Sequence, residues 1–134
     1  MATVKTNIAR EFKDLDMNFT IHPIKKDVNK LTAERAVINS IKNIVLTAHY
    51  EKPFDPDFGS NIRRLLFENL DKLTASAIER EINETVAIYE PRVKIIETIA
   101  RADFENNGFK IEMRFMIVNQ TQPVTITFFL ERIR

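Results

Sequence analysis

Few of the titratable side chains in this chain stand at spacings that catalysis needs. Two carboxylates suffice to hydrolyse a glycosidic bond, and five acids are candidates: Asp55 and Asp57 in a proline-containing stretch, then Glu68, Glu90 and Glu97. The pattern predicts no cleft between any pair of them, and there is no tryptophan to form a sugar platform. Turn formation, capping and ion pairing are the roles their positions favour. His22 and His49 lie 27 positions apart with no further histidine at helical spacing, which argues against a metal site. Ser40, Ser60 and Ser76 fall within or at the start of predicted helices, where capping or solvent exposure is expected and not a serine triad. With no cysteine, disulfides, thiolate metal sites and cysteine nucleophiles are excluded. Two glycines are too few for a phosphate-binding loop or a dinucleotide fingerprint. The expectation is a protein without catalytic residues, cofactor or metal.

One polar group resists so plain a reading. Glu90-Pro91-Arg92 stands where a long helical pattern gives way to strands. Proline fixes φ near −65° and so sets the angle between two side chains of opposite charge. The group is either a helix terminator with an incidental surface ion pair or a rigid, outward-facing anchor for charges on a partner. An arginine fork suits the second role because it binds bidentately.

The elements that must position these residues follow from periodicity. At 134 residues the chain fits one domain. Its 44% apolar and 29% charged residues are those of an ordinary globular protein. A net charge of +1, with both signs interspersed, gives no footprint for nucleic acid or an anionic membrane. No apolar run approaches the roughly 20 residues that span a bilayer, and the charged stretch 1–16 does not read as a signal peptide. Residues 1–30 are polar and weakly periodic and read as an extended arm anchored by Phe19 and Ile21; residues 31–134 read as a single α+β domain.

A first helix is expected from Thr32 as N-cap, with Glu34 in its first turn and Ala36, Val37, Ile41, Ile44, Val45 and Ala48 at helical spacing. The stretch 52–59 holds two prolines and a glycine and reads as a loop. Ser60 is expected to cap a second helix carrying Ile62, Leu65, Leu66 and Leu70. A third helix is expected from Thr74 to Tyr89, stopped by Pro91. Beyond it, β-branched residues mark a strand over 92–104, and Asn107-Gly108 predicts a type I′ hairpin turn. Alternation from Phe109 to Ile117 predicts a half-buried strand. After a loop over 119–123, a last strand runs from Val124 to Leu130. The architecture expected is three helices on one face of a three-stranded antiparallel sheet.

Such a sheet has two edges, near 93–103 and near 124–132, and an open edge recruits further strands. The stretch Val124 to Leu130 has no charge and no proline to blunt it. Thr125, Thr127 and Phe129 are therefore candidates for strand addition by a partner, unless the arm at 1–30 folds back over them.

Residues 33–92 resemble the GPW-like family of baseplate wedge proteins, the sheath initiators of contractile tails. The resemblance is carried by the segments 36–43 (AVINSIKN), 52–59 (KPFDPDFG) and 65–68 (LLFE), and by Tyr89-Glu90-Pro91-Arg92. His22-Pro23 and Asp27-Val28 fit the family's beginning, and the likeness extends over about 14–118, leaving 1–13 without counterpart. It implies a structural protein of the virion, placed in several copies around the tail axis at the baseplate and assembled in the host cytoplasm. Its implied partners are other baseplate wedge proteins, the tail sheath and the tail tube, with no nucleic acid and no membrane. The family's Glu-Pro-Arg motif is associated with docking to the wedge core, which assigns that role to Glu90, Pro91 and Arg92. Sheath subunits that add strands to a neighbour's sheet are the partner implied for Thr125, Thr127 and Phe129. The family has also been labelled lysozyme-like, so a peptidoglycan-cleaving tail enzyme is the alternative reading.

Overall fold

The computed structural model describes residues 14–15, 30–31 and 33–133. The expected N-cap at Thr32, the anchors Phe19 and Ile21, and nearly all of the expected arm lie outside the described residues. Two short strands, β1 (Asp14–Leu15) and β2 (Lys30–Leu31), pair antiparallel with Asp14 opposite Leu31.

Helix α1 (Ala33–Leu46) buries Ala36, Val37, Ile41, Ile44 and Val45, a stripe at 3.6-residue spacing. It stops two residues before the expected Ala48. Thr47 still donates its backbone N–H to the Asn43 carbonyl (3.0 Å), but Ala48 has left the helix to form a parallel bridge with Ser60. That bridge closes the loop foreseen over 52–59. Helix α2 (Ile62–Leu65) is a single turn. Asn61 holds the N-cap position without a side-chain cap; the Ser60 hydroxyl accepts the Ile62 N–H only at 3.5 Å and donates to the Val45 carbonyl at 2.9 Å. The physical reason is that Val45 lies in the last turn of α1, where carbonyls lack an intrahelical donor. Ser60 is buried beside it.

Helix α3 (Lys72–Tyr89) begins two residues earlier than expected. Asp71 is the N-cap, accepting the Thr74 N–H at 2.7 Å, so the residue taken for the start is the third of the helix. This backbone hydrogen bond holds the Asp71 carboxyl below its ordinary range. Ala75, Ile78, Ile82 and Val86 form the buried stripe, and the helix ends at Tyr89, as Pro91 requires.

The meander that follows is β3 (Val93–Asp103), β4 (Gly108–Ile117) and β5 (Val124–Glu131), antiparallel and in that order. Phe109, Ile111, Met113, Phe115 and Ile117 alternate inward from the central strand and are almost wholly buried, each contributing about 1.5–3 kcal/mol of transfer free energy. They join Val37, Ile41 and Val45 of α1 and the α3 stripe in one core. A bulge between Ile95 and Glu97 resets the alternation along β3.

The first hairpin differs from the two-residue turn expected at Asn107-Gly108. Asp103 pairs with Gly108, so four residues (104–107) form the loop, and only Asn107 takes positive φ, at 52°. Asp103 builds this turn: its carboxylate accepts from the backbone N–H groups of Glu105 (3.1 Å) and Asn106 (3.2 Å) and from the Asn106 side chain (2.7 Å). Gly108 is needed for another reason. A Cβ there would come within 2.4 Å of both the Leu130 carbonyl and the Phe129 ring.

Gly59 closes the 48–60 loop with φ +117°, and an added Cβ would lie 2.5 Å from the Thr47 carbonyl oxygen. Gly59→Ala is therefore expected to destabilise the domain by more than about 1 kcal/mol, read as a lower urea midpoint at unchanged m-value.

Candidate functional site

The handover from α3 to β3 is held by a buried carboxylate. Glu90 caps the helix, donating its N–H to the Val86 carbonyl (2.9 Å), and its side chain turns into the protein, leaving the residue 2% exposed. Arg92 approaches from two residues on, Nε to Oε1 at 2.5 Å and Nη2 to Oε2 at 2.7 Å. The Ser40 hydroxyl of α1 donates to Oε2 at 2.5 Å. Burial alone would push the Glu90 carboxyl up, but the hydrogen bonds from Arg92 and Ser40 and the guanidinium charge outweigh it, and the group sits below its ordinary range. The expectation that both charges face outward is thus corrected for Glu90. Pro91 is exposed, and the Arg92 side chain keeps 30% of its surface. The Glu90 carboxylate points at α1.

Ser40 is the residue that sequence reasoning missed. Its signal lies in its spacing: three after Val37 and four before Ile44, it sits on the buried stripe, where a hydroxyl needs a partner. The other acids are not gathered around Glu90. Asp55, Asp57, Glu68 and Glu97 are all exposed, and Asp55 pairs with Lys52 at 3.8 Å. His49 meets the Asp57 carbonyl at 3.0 Å. Among the described residues no group of three or more metal-ligating side chains comes together.

The two sheet edges differ. Within the β4–β5 ladder, the Arg132 N–H reaches the Asn107 carbonyl at 2.9 Å, which puts even-numbered β5 residues in the hydrogen-bonded pairs. The N–H and C=O groups of Thr125, Thr127 and Phe129 consequently point away from β4, to the outer edge. On the opposite edge α3 covers the backbone: the outward N–H of Ala100 donates to Glu79 Oε1 at 2.7 Å, and Thr98 Oγ1 donates to Asn83 Oδ1 at 2.7 Å. Among the described residues no strand pairs with the outer edge of β5. Thr125, Thr127 and Phe129 are exposed there.

The model of the baseplate wedge protein gp25 family matches residues 32–122, a span that includes the junction, the 48–60 loop and most of the sheet. The chain is also 30% identical over 118 residues to baseplate wedge protein gp25 of Enterobacteria phage T4, covering 88% of this chain and 89% of that protein. The chain belongs to the gp25 baseplate wedge family. Solved structures share its fold. A putative tail lysozyme from Geobacter sulfurreducens superposes with a TM-score of 0.72 at 23% identity, covering 78% of this chain and 95% of that one. A chain of the anti-feeding prophage baseplate gives 0.62 at 16% identity, covering 89% and 84%. A chain of the postcontracted pyocin R2 baseplate gives 0.54 at 15%, covering 89% and 99%. The family likeness stated from the sequence segments is thereby established.

Glu90 gives the junction a pH dependence. Because its folded carboxyl is depressed, the stabilisation is fully present above the ordinary carboxylate value and lost as pH falls through the folded one. Glu90→Gln is expected to be less stable than wild type at pH 7, with the gap closing below about pH 4. Urea unfolding from pH 3 to 7 measures it; a gap that does not narrow in acid would contradict the ionised pair.

Proposed function

We propose that this protein is a non-enzymatic component of a contractile-tail baseplate that docks to the wedge core through the Glu90-Pro91-Arg92 junction and starts the sheath at the open edge of β5. Membership of the gp25 family supports the baseplate as its place. The observation that carries the sheath role is the asymmetry of the sheet: one edge is covered by α3, and the other presents Thr125, Thr127 and Phe129 without lysine, proline or bulge. An extended arm from a sheath subunit would add there as a strand, with main-chain hydrogen bonds supplying affinity. Docking is assigned to the exposed part of the junction, Pro91 and the outer side of Arg92, with Glu90 holding Arg92 in place from within. Assembly takes place in the host cytoplasm, with several copies set around the tail tube.

The rival reading, peptidoglycan cleavage, draws on the fold shared with a putative tail lysozyme. The chemistry of the acids speaks against it. A glycosidase needs a carboxylic acid with a raised pKa facing a second carboxylate. Glu90, the buried acid, is instead held low and fully engaged by Arg92 and Ser40.

Two experiments test the proposal. Thr127→Pro removes an outward N–H and spares the β4 ladder, so folding and baseplate incorporation should persist while sheath polymerisation fails. Normal contractile sheaths on particles carrying this variant would refute strand addition at β5. For the junction, Arg92→Ala should lower incorporation into baseplates, assayed at a temperature where the isolated variant is folded, while Ser40→Ala, which removes only the α1 donor to Glu90, should incorporate as wild type. Equal losses from both would mean that the junction acts through the fold alone.

A further inference from the structure

The loop between α1 and α2 is tied down at many points, yet it carries the most exposed aromatic ring among the described residues. Its ends are closed by the Ala48–Ser60 bridge and by the Ser60 N–H on the Thr47 carbonyl at 2.9 Å. Within it, Tyr50 donates to the Pro56 carbonyl (2.8 Å), Asp55 to that of Lys52 (3.3 Å) and Phe58 to that of Asp55 (3.2 Å). The Glu51 carboxylate accepts the Ala48 N–H at 2.9 Å. The base is pinned to the end of α3: the Tyr89 hydroxyl donates to the Asp57 carbonyl (2.5 Å), and the Phe58 and Tyr89 rings meet at 4.9 Å. Lys52 lies 4.4 Å above the Phe58 ring. This is an Ω-loop, closed on itself and packed by its own side chains.

On that base Phe54, between Pro53 and Pro56, is 99% exposed, and Tyr50 is 81% exposed. Single apolar side chains at a surface are ordinary. A fully exposed phenylalanine on a loop whose backbone is already fixed is a different object, because the ordering that binding would otherwise require has been done by folding. Rigid aromatic anchors that enter a partner's pocket dominate protein interfaces. The charge around the tip narrows the partner: Glu51, Asp55 and Asp57 stand against Lys52 alone, and Lys52 is engaged with Asp55 and the Phe58 ring.

We propose that Phe54 and Tyr50 form a docking knob that enters an apolar pocket with a basic rim on another baseplate protein. The location rests on the baseplate reading above; the knob itself rests on the loop. Tyr89, which pins the loop, adjoins Glu90 in sequence, so one partner surface can meet both the knob and the junction.

The test supplies variants to cells whose phage lacks the wild-type gene and quantifies this chain in purified particles by mass spectrometry. Phe54→Ala should melt within a few degrees of wild type and be depleted from particles by about ten- to a hundredfold. Phe104→Ala, another largely solvated ring (73% exposed) on the β3–β4 hairpin, should incorporate normally. A photoreactive phenylalanine analogue in place of Phe54 keeps the aromatic knob and should crosslink, in the particle, to one other baseplate protein. Incorporation of Phe54→Ala at the wild-type level, or a crosslink only to a second copy of this chain, would overturn the knob. Particles that lack even the wild-type chain would overturn the baseplate reading and the knob with it.

Discussion

A carboxylate withdrawn from water at the point where helix becomes sheet is the constraint on which the rest of the structure depends. Glu90 is buried, and an ionised group there is tolerable only if each oxygen is satisfied. Arg92 supplies a charge and two donors from the first residues of the sheet segment, and Ser40 supplies a third from α1. Two stretches of chain 50 positions apart must therefore meet at one point before the helical half and the sheet can be joined. Pro91 serves the same end by ending α3 and directing Arg92 back over the residue two before it. A buried pair of this kind contributes little net stability when complete and much instability when broken. Its value lies in specificity: few other arrangements of α1, α3 and β3 satisfy all three groups.

Fixing α3 at this end determines what happens along its length. The helix runs beside β3 and reaches its backbone with Glu79 and its side chain with Asn83, so one sheet edge is closed by a helix that the sheet would otherwise only pack against. The same helix end receives the 48–60 loop through Tyr89. The junction, the loop and the covered edge are thus consequences of one placement, and β5, which α3 does not reach, pairs among the described residues with β4 alone.

Much of this was legible in the sequence because it follows from period and punctuation. The 3.6-residue stripe from Val37 to Val45, the alternation from Phe109 to Ile117 and the stop at Pro91 each reflect one dominant local force. The readings that failed were those in which a local signal lost to a tertiary contact. Ser60 has the chemistry of an N-cap, but an unsatisfied carbonyl of α1 lay closer. Asn107-Gly108 has the composition of a two-residue turn, but Asp103 gathers donors two and three positions on and widens the loop. Asp71 outcompeted the expected start at Thr74 by accepting its N–H. Glu90 was read as facing outward because its partner Ser40 lies 50 positions away, beyond the reach of any local pattern. The candidate edge residues were legible as a strand without gatekeepers, whereas which edge α3 would cover depended on where that helix comes to lie.

The pairing of β5 with β4 also explains a feature of the hairpin that turn chemistry leaves unexplained. Gly108 has no positive φ to require it, yet the Leu130 carbonyl and the Phe129 ring occupy the space a Cβ would need. A β-sheet glycine overlaid by a cross-strand aromatic recovers in packing what it loses in side chain, and here it brings β5 and the start of β4 into close register. The strand at the edge is therefore held from the β4 side by core residues such as Ile126 and Leu130 and on the wet face by Phe129 over Gly108. An edge strand left ragged would fray, since among the described residues no strand pairs with its outer side. A straight, fully paired edge with its outward donors and acceptors in line is the form that can receive another strand in register. Among the described residues, β5 thus combines a side without a paired strand with a hairpin that keeps its register regular.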